Sequence, residues 1–85
     1  METIIVENIE YVIQDENISK GDLMLINNPN PSSSMKNVIK KCYSVNLLEN
    51  KLHYQFFVIA DIETGNGWDS GYYPKEMCKK VTIKL

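Results

Sequence analysis

Side chains able to catalyse or to ligate a metal are few in this chain and widely spaced. His53 is the single histidine, and Cys42 and Cys78 are the two cysteines. A histidine acting as general base needs a nucleophile or an orienting carboxylate within reach, and no sequence neighbour of His53 supplies one. Its place in the alternating run Leu52 to Ala60 points to a structural or surface role. One histidine and two distant cysteines also fall short of the four close ligands of a structural zinc site. Asp61, Glu63, Asn66 and Asp69 space their oxygens somewhat as a calcium loop does. Glycine, however, stands at the fifth and seventh places (Gly65 and Gly67), where ligands are needed, and no bidentate glutamate closes the loop. The residues predict no enzyme, no metal and no cofactor.

Binding chemistry is better represented. Trp68, Tyr72 and Tyr73 gather in the glycine-rich run from Asp61 to Pro74. An indole beside two phenols on a loop makes either an exposed aromatic patch, which concentrates interface energy, or a plug for the open end of a small barrel. Tyr11 and Pro74 complete a shallow groove in this reading, with Asp15 and Glu16 as an acidic rim attracting a basic partner. Lys75, Lys79, Lys80 and Lys84 form one basic cluster, and Lys36, Lys40 and Lys41 another. Beside Tyr43 or Tyr73 these offer the alternative, stacking of a single-stranded nucleic acid. All nine basic residues are lysine, the net charge is −2 and the pI is 5.3. Nucleic-acid affinity depends on neutralising phosphates, and bidentate base readout favours arginine, so a protein partner ranks first.

Eighty-five residues make one domain with one modest core. Hydrophobic content of 44% with 24% charge is that of a globular chain. The longest apolar run, Phe56 to Ala60, is far below the roughly 20 residues that cross a bilayer. The first residues carry two glutamates and no positive charge, unlike a signal peptide, so a cytoplasmic protein with reduced thiols is expected. A bridge between Cys42 and Cys78 requires that their elements be neighbours.

β-Branched and aromatic residues dominate the apolar set, and Gly, Pro, Asn and Ser interrupt the chain about every ten residues. This pattern predicts a mainly β fold. Short strands are expected at Ile4 to Val6 and at Tyr11 to Gln14, then a polar loop from Asp15 to Lys20. Gly21 suits a positive φ, and Asp22 can bond the turn backbone before a strand over Leu23 to Asn27. Asn28 to Ser34, with two prolines and three serines, reads as a loop. Asn37 to Asn46 reads as a strand, in preference to a helix capped by Ser34. Its alternation sets Val38, Lys40 and Cys42 against Ile39, Lys41, Tyr43 and Val45. A hairpin turn at Leu48 to Lys51, with Asn50 left-handed, leads into a strand over Leu52 to Ala60. Asp61 to Gly71 reads as a loop, Pro74 to Lys80 as a short helical turn, and Val81 to Leu85 as the last strand.

Asp15-Glu16 through Ile18-Ser19-Lys20-Gly21-Asp22 resembles the acidic loop and following strand of Src-homology-3 domains. Gly71-Tyr72-Tyr73-Pro74 resembles the segment before their short helical turn, and Phe56-Phe57 sits where such domains often carry an aromatic pair. The resemblance implies a five- or six-stranded barrel with one helical turn before the last strand. Against the family pattern, Tyr11 stands alone in the first strand, Phe56 replaces the groove tryptophan, and Met77 replaces a tyrosine. The run Tyr11 to Asp22, with Cys78-Lys79-Lys80-Val81, is also similar to short proteins of bacteriophages and mobile elements of gut bacteria. That similarity implies a phage accessory or structural protein. The expectation is a protein-binding or assembly module, self-associating by strand pairing at Ile4 to Val6 or Asn37 to Asn46.

Overall fold

The computed structural model describes residues 2–28, 36–49 and 52–85. Its strands are β1 (Thr3–Val6), β2 (Ile9–Gln14), β3 (Leu23–Ile26), β4 (Val38–Leu47), β5 (His53–Asp61), β6 (Asn66–Pro74) and β7 (Cys78–Ile83). A 3₁₀ turn, Lys75–Met77, separates β6 from β7. The strands form one antiparallel sheet in the order β1-β2-β7-β3-β4-β5-β6. The mainly β expectation holds. The strand number is seven among the described residues, where five or six were expected.

No described pairing joins β1 to β6, so the ladder has two ends. The middle strand β3, Leu-Met-Leu-Ile, is apolar at every position. Successive side chains of a strand point to opposite faces. Met24 and Ile26 pack with Ile18, Cys42, Tyr54, Phe56, Val58 and Cys78. Leu23 and Leu25 pack with Tyr11, Val81, Ile4, Val6, Ile13 and Ile39. The sheet thus carries a cluster on each face of its middle strands, as expected of a strand buried on both sides. Full burial of Phe56, Met24, Ile26 and Val58 stabilises the fold by roughly 1.5–3 kcal/mol per side chain.

The turns follow backbone chemistry. Glu7 and Asn8 both take positive φ, 51° and 68°, in the two-residue loop joining β1 to β2. Paired left-handed residues match the right-handed twist of a hairpin, and the hairpin extends β2 back to Ile9. Gly21 has φ 91°, as expected, and the Ser19 amide donates to the Asp22 carboxylate at 2.7 Å. The loop before it is pinned by Ile18, which is buried, and by the Tyr54 hydroxyl, which accepts from the Ile18 amide at 3.4 Å.

Four expectations are corrected. The segment 61–71 is not one loop: only the turn around Ile62–Gly65 separates β5 from β6, and β6 pairs with β5 from Asn66. Its glycines read as loop-formers, but Gly65 and Gly67 place their positive φ at the turn and the strand start. The helical turn is shorter than Pro74 to Lys80 because Cys78 already pairs with Ile26. β4 is a strand, as expected, but it lies between β3 and β5 and presents no free edge for self-association. Its register slips between Cys42 and Ser44, a bulge that puts Val45 on the Cys42 face rather than on that of Tyr43. The expected 28–34 loop beyond Asn28, and Asn50 with Lys51, lie outside the described residues.

Cys42 and Cys78 are buried and free. Cys78 pairs with Ile26, whereas the Cys42 amide donates to the Asp22 carbonyl. Four positions along β3 at roughly 3.3 Å each hold the two apart by about 13 Å, beyond the roughly 7 Å that a disulfide tolerates.

Candidate functional site: an aromatic face on three strands

β5 places Tyr54, Phe56 and Val58 in the core, so His53, Gln55, Phe57 and Ile59 stand on the other face. Directly opposite them on β6 lie Pro74, Tyr72, Ser70 and Trp68. Directly paired residues share a face, so Trp68, Phe57 and Tyr72 join one surface. β4 adds to it through its bulge, where the extra residue Tyr43 meets Trp68 edge to face with ring centroids 4.5 Å apart. His53 and Tyr72 stack at 5.0 Å. Aromatic pairs of these geometries contribute roughly 0.5–1.5 kcal/mol beyond their burial.

This face is open to solvent. Trp68 is 59% exposed, Tyr72 57%, Tyr43 48% and Phe57 46%. Two cations border it. The Lys20 ammonium lies 5.5 Å from the centre of the Tyr43 ring, and Lys41 shares a cross-strand row with Ile59 and Trp68. The first is a cation–π contact that supports the Tyr43 ring without covering Trp68.

β6 also ends the sheet, pairing with β5 alone. The Lys75 amide donates to the Leu52 carbonyl, which sets the phase of the β5–β6 ladder. Counting back in steps of two, Tyr73, Gly71 and Asp69 exchange hydrogen bonds with β5. The amides and carbonyls of Trp68, Ser70 and Tyr72 therefore point away from the sheet, and no described backbone group pairs with them.

The expected groove is divided by the fold. Trp68 and Tyr72 stand together on the exposed face, which answers whether Trp68 plugs the core. Tyr73, next in sequence, turns to the opposite face, where its ring meets Phe56 at 5.6 Å and its hydroxyl accepts from Asn28 at 3.4 Å. Pro74 is half-buried opposite His53. Tyr11 is 4% exposed within the β1–β2–β7 cluster, so it is a core residue and contributes no contact surface. Asp15 and Glu16 line a separate cavity of about 740 Å³ with Lys75 and Lys79, and no residue of the aromatic face lines it. Glu16 is committed to Lys80, whose ammonium donates to it at 2.8 Å. That hydrogen bond, with the nearby charges of Asp22 and Glu16, raises the Lys80 pKa against the cost of desolvation. Asp15 and Glu16 thus border a hollow of mixed charge, where Glu2 and Glu76 stand with Lys75 and Lys79, instead of Trp68.

The acidic residues of the former calcium reading diverge as well. Asp61 accepts from the amides of Glu63 and Thr64 at 3.0 and 3.3 Å, and Asp69 pairs with Lys40 at 3.7 Å. Those amide bonds lower the Asp61 pKa, first through Thr64 and then through Glu63. Among the described residues no three or more His, Cys, Asp or Glu side chains converge as a metal site. No helix among them is long and apolar enough to cross a membrane.

No known protein family, curated protein or solved structure matches this chain. The site is therefore read from its own geometry. The sequence did not single out Phe57 for binding, and it pointed to Tyr43 only as a stacking platform for nucleic acid, not as a neighbour of Trp68. Phe57 carried a signal in its alternation with Phe56; the contact of Tyr43 with Trp68 carried none, because it depends on the bulge.

Proposed function

We propose that this domain is a non-enzymatic protein-binding module whose contact surface is the face formed by Tyr43, Phe57, Trp68 and Tyr72. The observation supporting it is the exposure of these four large rings on three adjacent strands. Tyrosine and tryptophan are the residues that concentrate binding energy at protein interfaces, and contiguous exposed apolar patches mark interaction sites. The free edge of β6 beside the patch suits an extended partner, which would add main-chain hydrogen bonds to the aromatic contacts. A Src-homology-3-like curl of the sheet, supported by the 3₁₀ turn between β6 and β7, belongs to the same proposal. So does service as a phage accessory or structural component in the cytoplasm, which rests on sequence resemblance.

Lys20 and Lys41 beside the rings favour one competing reading, a single-stranded nucleic acid stacked on the face. Peptides selected from a random library against the domain, with labelled oligonucleotides tested in parallel, separate the two. The proposal expects peptide binding that weakens at least tenfold in Trp68→Ala and Tyr72→Ala. Peptides indifferent to both substitutions would reject the face. Oligonucleotide binding that falls steeply with salt, without peptide binding, would transfer the site to nucleic acid.

A further inference from the structure

We infer that β6 pairs with β6 of a second copy of this chain, antiparallel, about a two-fold axis through Ser70. The inference rests on the protein-binding reading and names one partner for it.

The outer edge of β6, unpaired among the described strands, is long and lightly protected. Exposed edges are ordinarily blunted by lysine, proline, an inward-pointing charge, a bulge, or by being very short. Of these β6 has only Pro74 at its last position and Asp69, which Lys40 matches. β6 runs nine residues, Asn-Gly-Trp-Asp-Ser-Gly-Tyr-Tyr-Pro, with neither lysine nor arginine and an unbroken register from His53↔Pro74 to Ile59↔Trp68. The other end of the sheet, β1, has four residues and is flanked by Glu2 and Glu7.

The hydrogen-bonding phase fits a two-fold at Ser70. Outward amides and carbonyls belong to residues 68, 70 and 72, following the ladder set by Lys75 and Leu52, while the Asn66 amide donates to the Thr64 hydroxyl at 3.3 Å. An axis at Ser70 makes Ser70 its own partner and places Trp68 opposite Tyr72 of the second copy, all with outward groups. Asn66 then meets Pro74; the Asn66 amide is already bonded to Thr64 and Pro74 has none, so the ladder ends at the Trp68–Tyr72 rungs.

The side chains fit the same axis. On the exposed face, Trp68 meets a tyrosine on each side of the axis, an aromatic cross-strand pair. On the other face, Asp69 meets Gly71 and Gly67 meets Tyr73, a small residue against each larger one. No like charges oppose directly, and each Asp69 is already matched by Lys40 of its own chain. The two aromatic faces then merge into one.

Sedimentation equilibrium of the whole chain across the micromolar to millimolar range tests this, with Ser70→Lys as the variant. Ser70 is exposed, so the variant keeps its fold, checked by circular dichroism. The expected result is a wild-type dimer and a monomeric Ser70→Lys, because two lysines would face each other on the axis. Ser70→Cys should give a rapid intermolecular disulfide, and Ile5→Cys on β1 should not. A wild-type monomer throughout, a dimer unchanged by Ser70→Lys, or faster cross-linking through Ile5→Cys would each overturn the pairing. A monomer that still binds selected peptides through Trp68 would sink the dimer alone and leave the binding module standing.

Discussion

Phe56 and Gly71 face each other across β5 and β6, and the Phe56 ring occupies the space that a side chain at 71 would need. Glycine inside a strand normally weakens it, and here the ring of the opposite residue covers the bare backbone. The contact explains why a glycine stands in the middle of an edge strand. It also holds β6 flat against the core.

Gly71→Ala should therefore destabilise the domain by about 1–3 kcal/mol, the usual range for overpacking. Urea denaturation checks it. Combining the change with Phe56→Leu should show non-additivity, since each substitution changes the room available to the other.

Trp68 should be readily quenched by acrylamide in the isolated domain at low micromolar concentration, as its 59% exposure requires. A double-mutant cycle with Tyr43→Ala and Trp68→Ala should give a coupling of about 0.5–1.5 kcal/mol. Coupling near zero would mean that the two rings do not meet in solution.

How much of this was legible depended on the kind of signal. Strand β5 and the Gly21-Asp22 turn could be read because alternation and a positive φ are local properties. The apolar run Leu23 to Ile26 marked a strand, and its unbroken character was the sign of a core on both faces. β6 was hidden by its glycines, which suggest a loop until Phe56 is seen covering Gly71. Tyr11 looked available because a lone tyrosine has no sequence marker of burial. Placement of Tyr43 rests on a one-residue slip in pairing, which no residue type announces.

Burial pushes the Cys78 thiol up to about 12 from 9.0, and raises that of Cys42, with Asp22 adding to the effect. A thiol that keeps its proton in the fold but loses it when unfolded binds more protons in the native state. Stability is then fully present below pH 9.0 and falls as pH rises toward about 12. Denaturation midpoints should drop over that range, less so in Cys78→Ala. Neither thiol should react with an aromatic disulfide reagent at neutral pH until the protein unfolds.

Asp61 titrates in the opposite sense. Its folded pKa lies below the ordinary 3.8, so its contribution is present above 3.8 and lost as pH falls through the folded value. Asp61→Asn should flatten the acid limb of the stability profile and loosen the β5–β6 turn. Hydrogen exchange at the Glu63 and Thr64 amides reports the second effect.

The most direct test is a chemical-shift map of the labelled domain titrated with a library-selected peptide. The perturbed resonances should cluster on Tyr43, Phe57, Trp68 and Tyr72, with the Ser70 and Tyr72 amides among them. Perturbations confined to Asp15, Glu16, Lys75 and Lys79 would place binding in the separate hollow that these residues line and contradict the aromatic face.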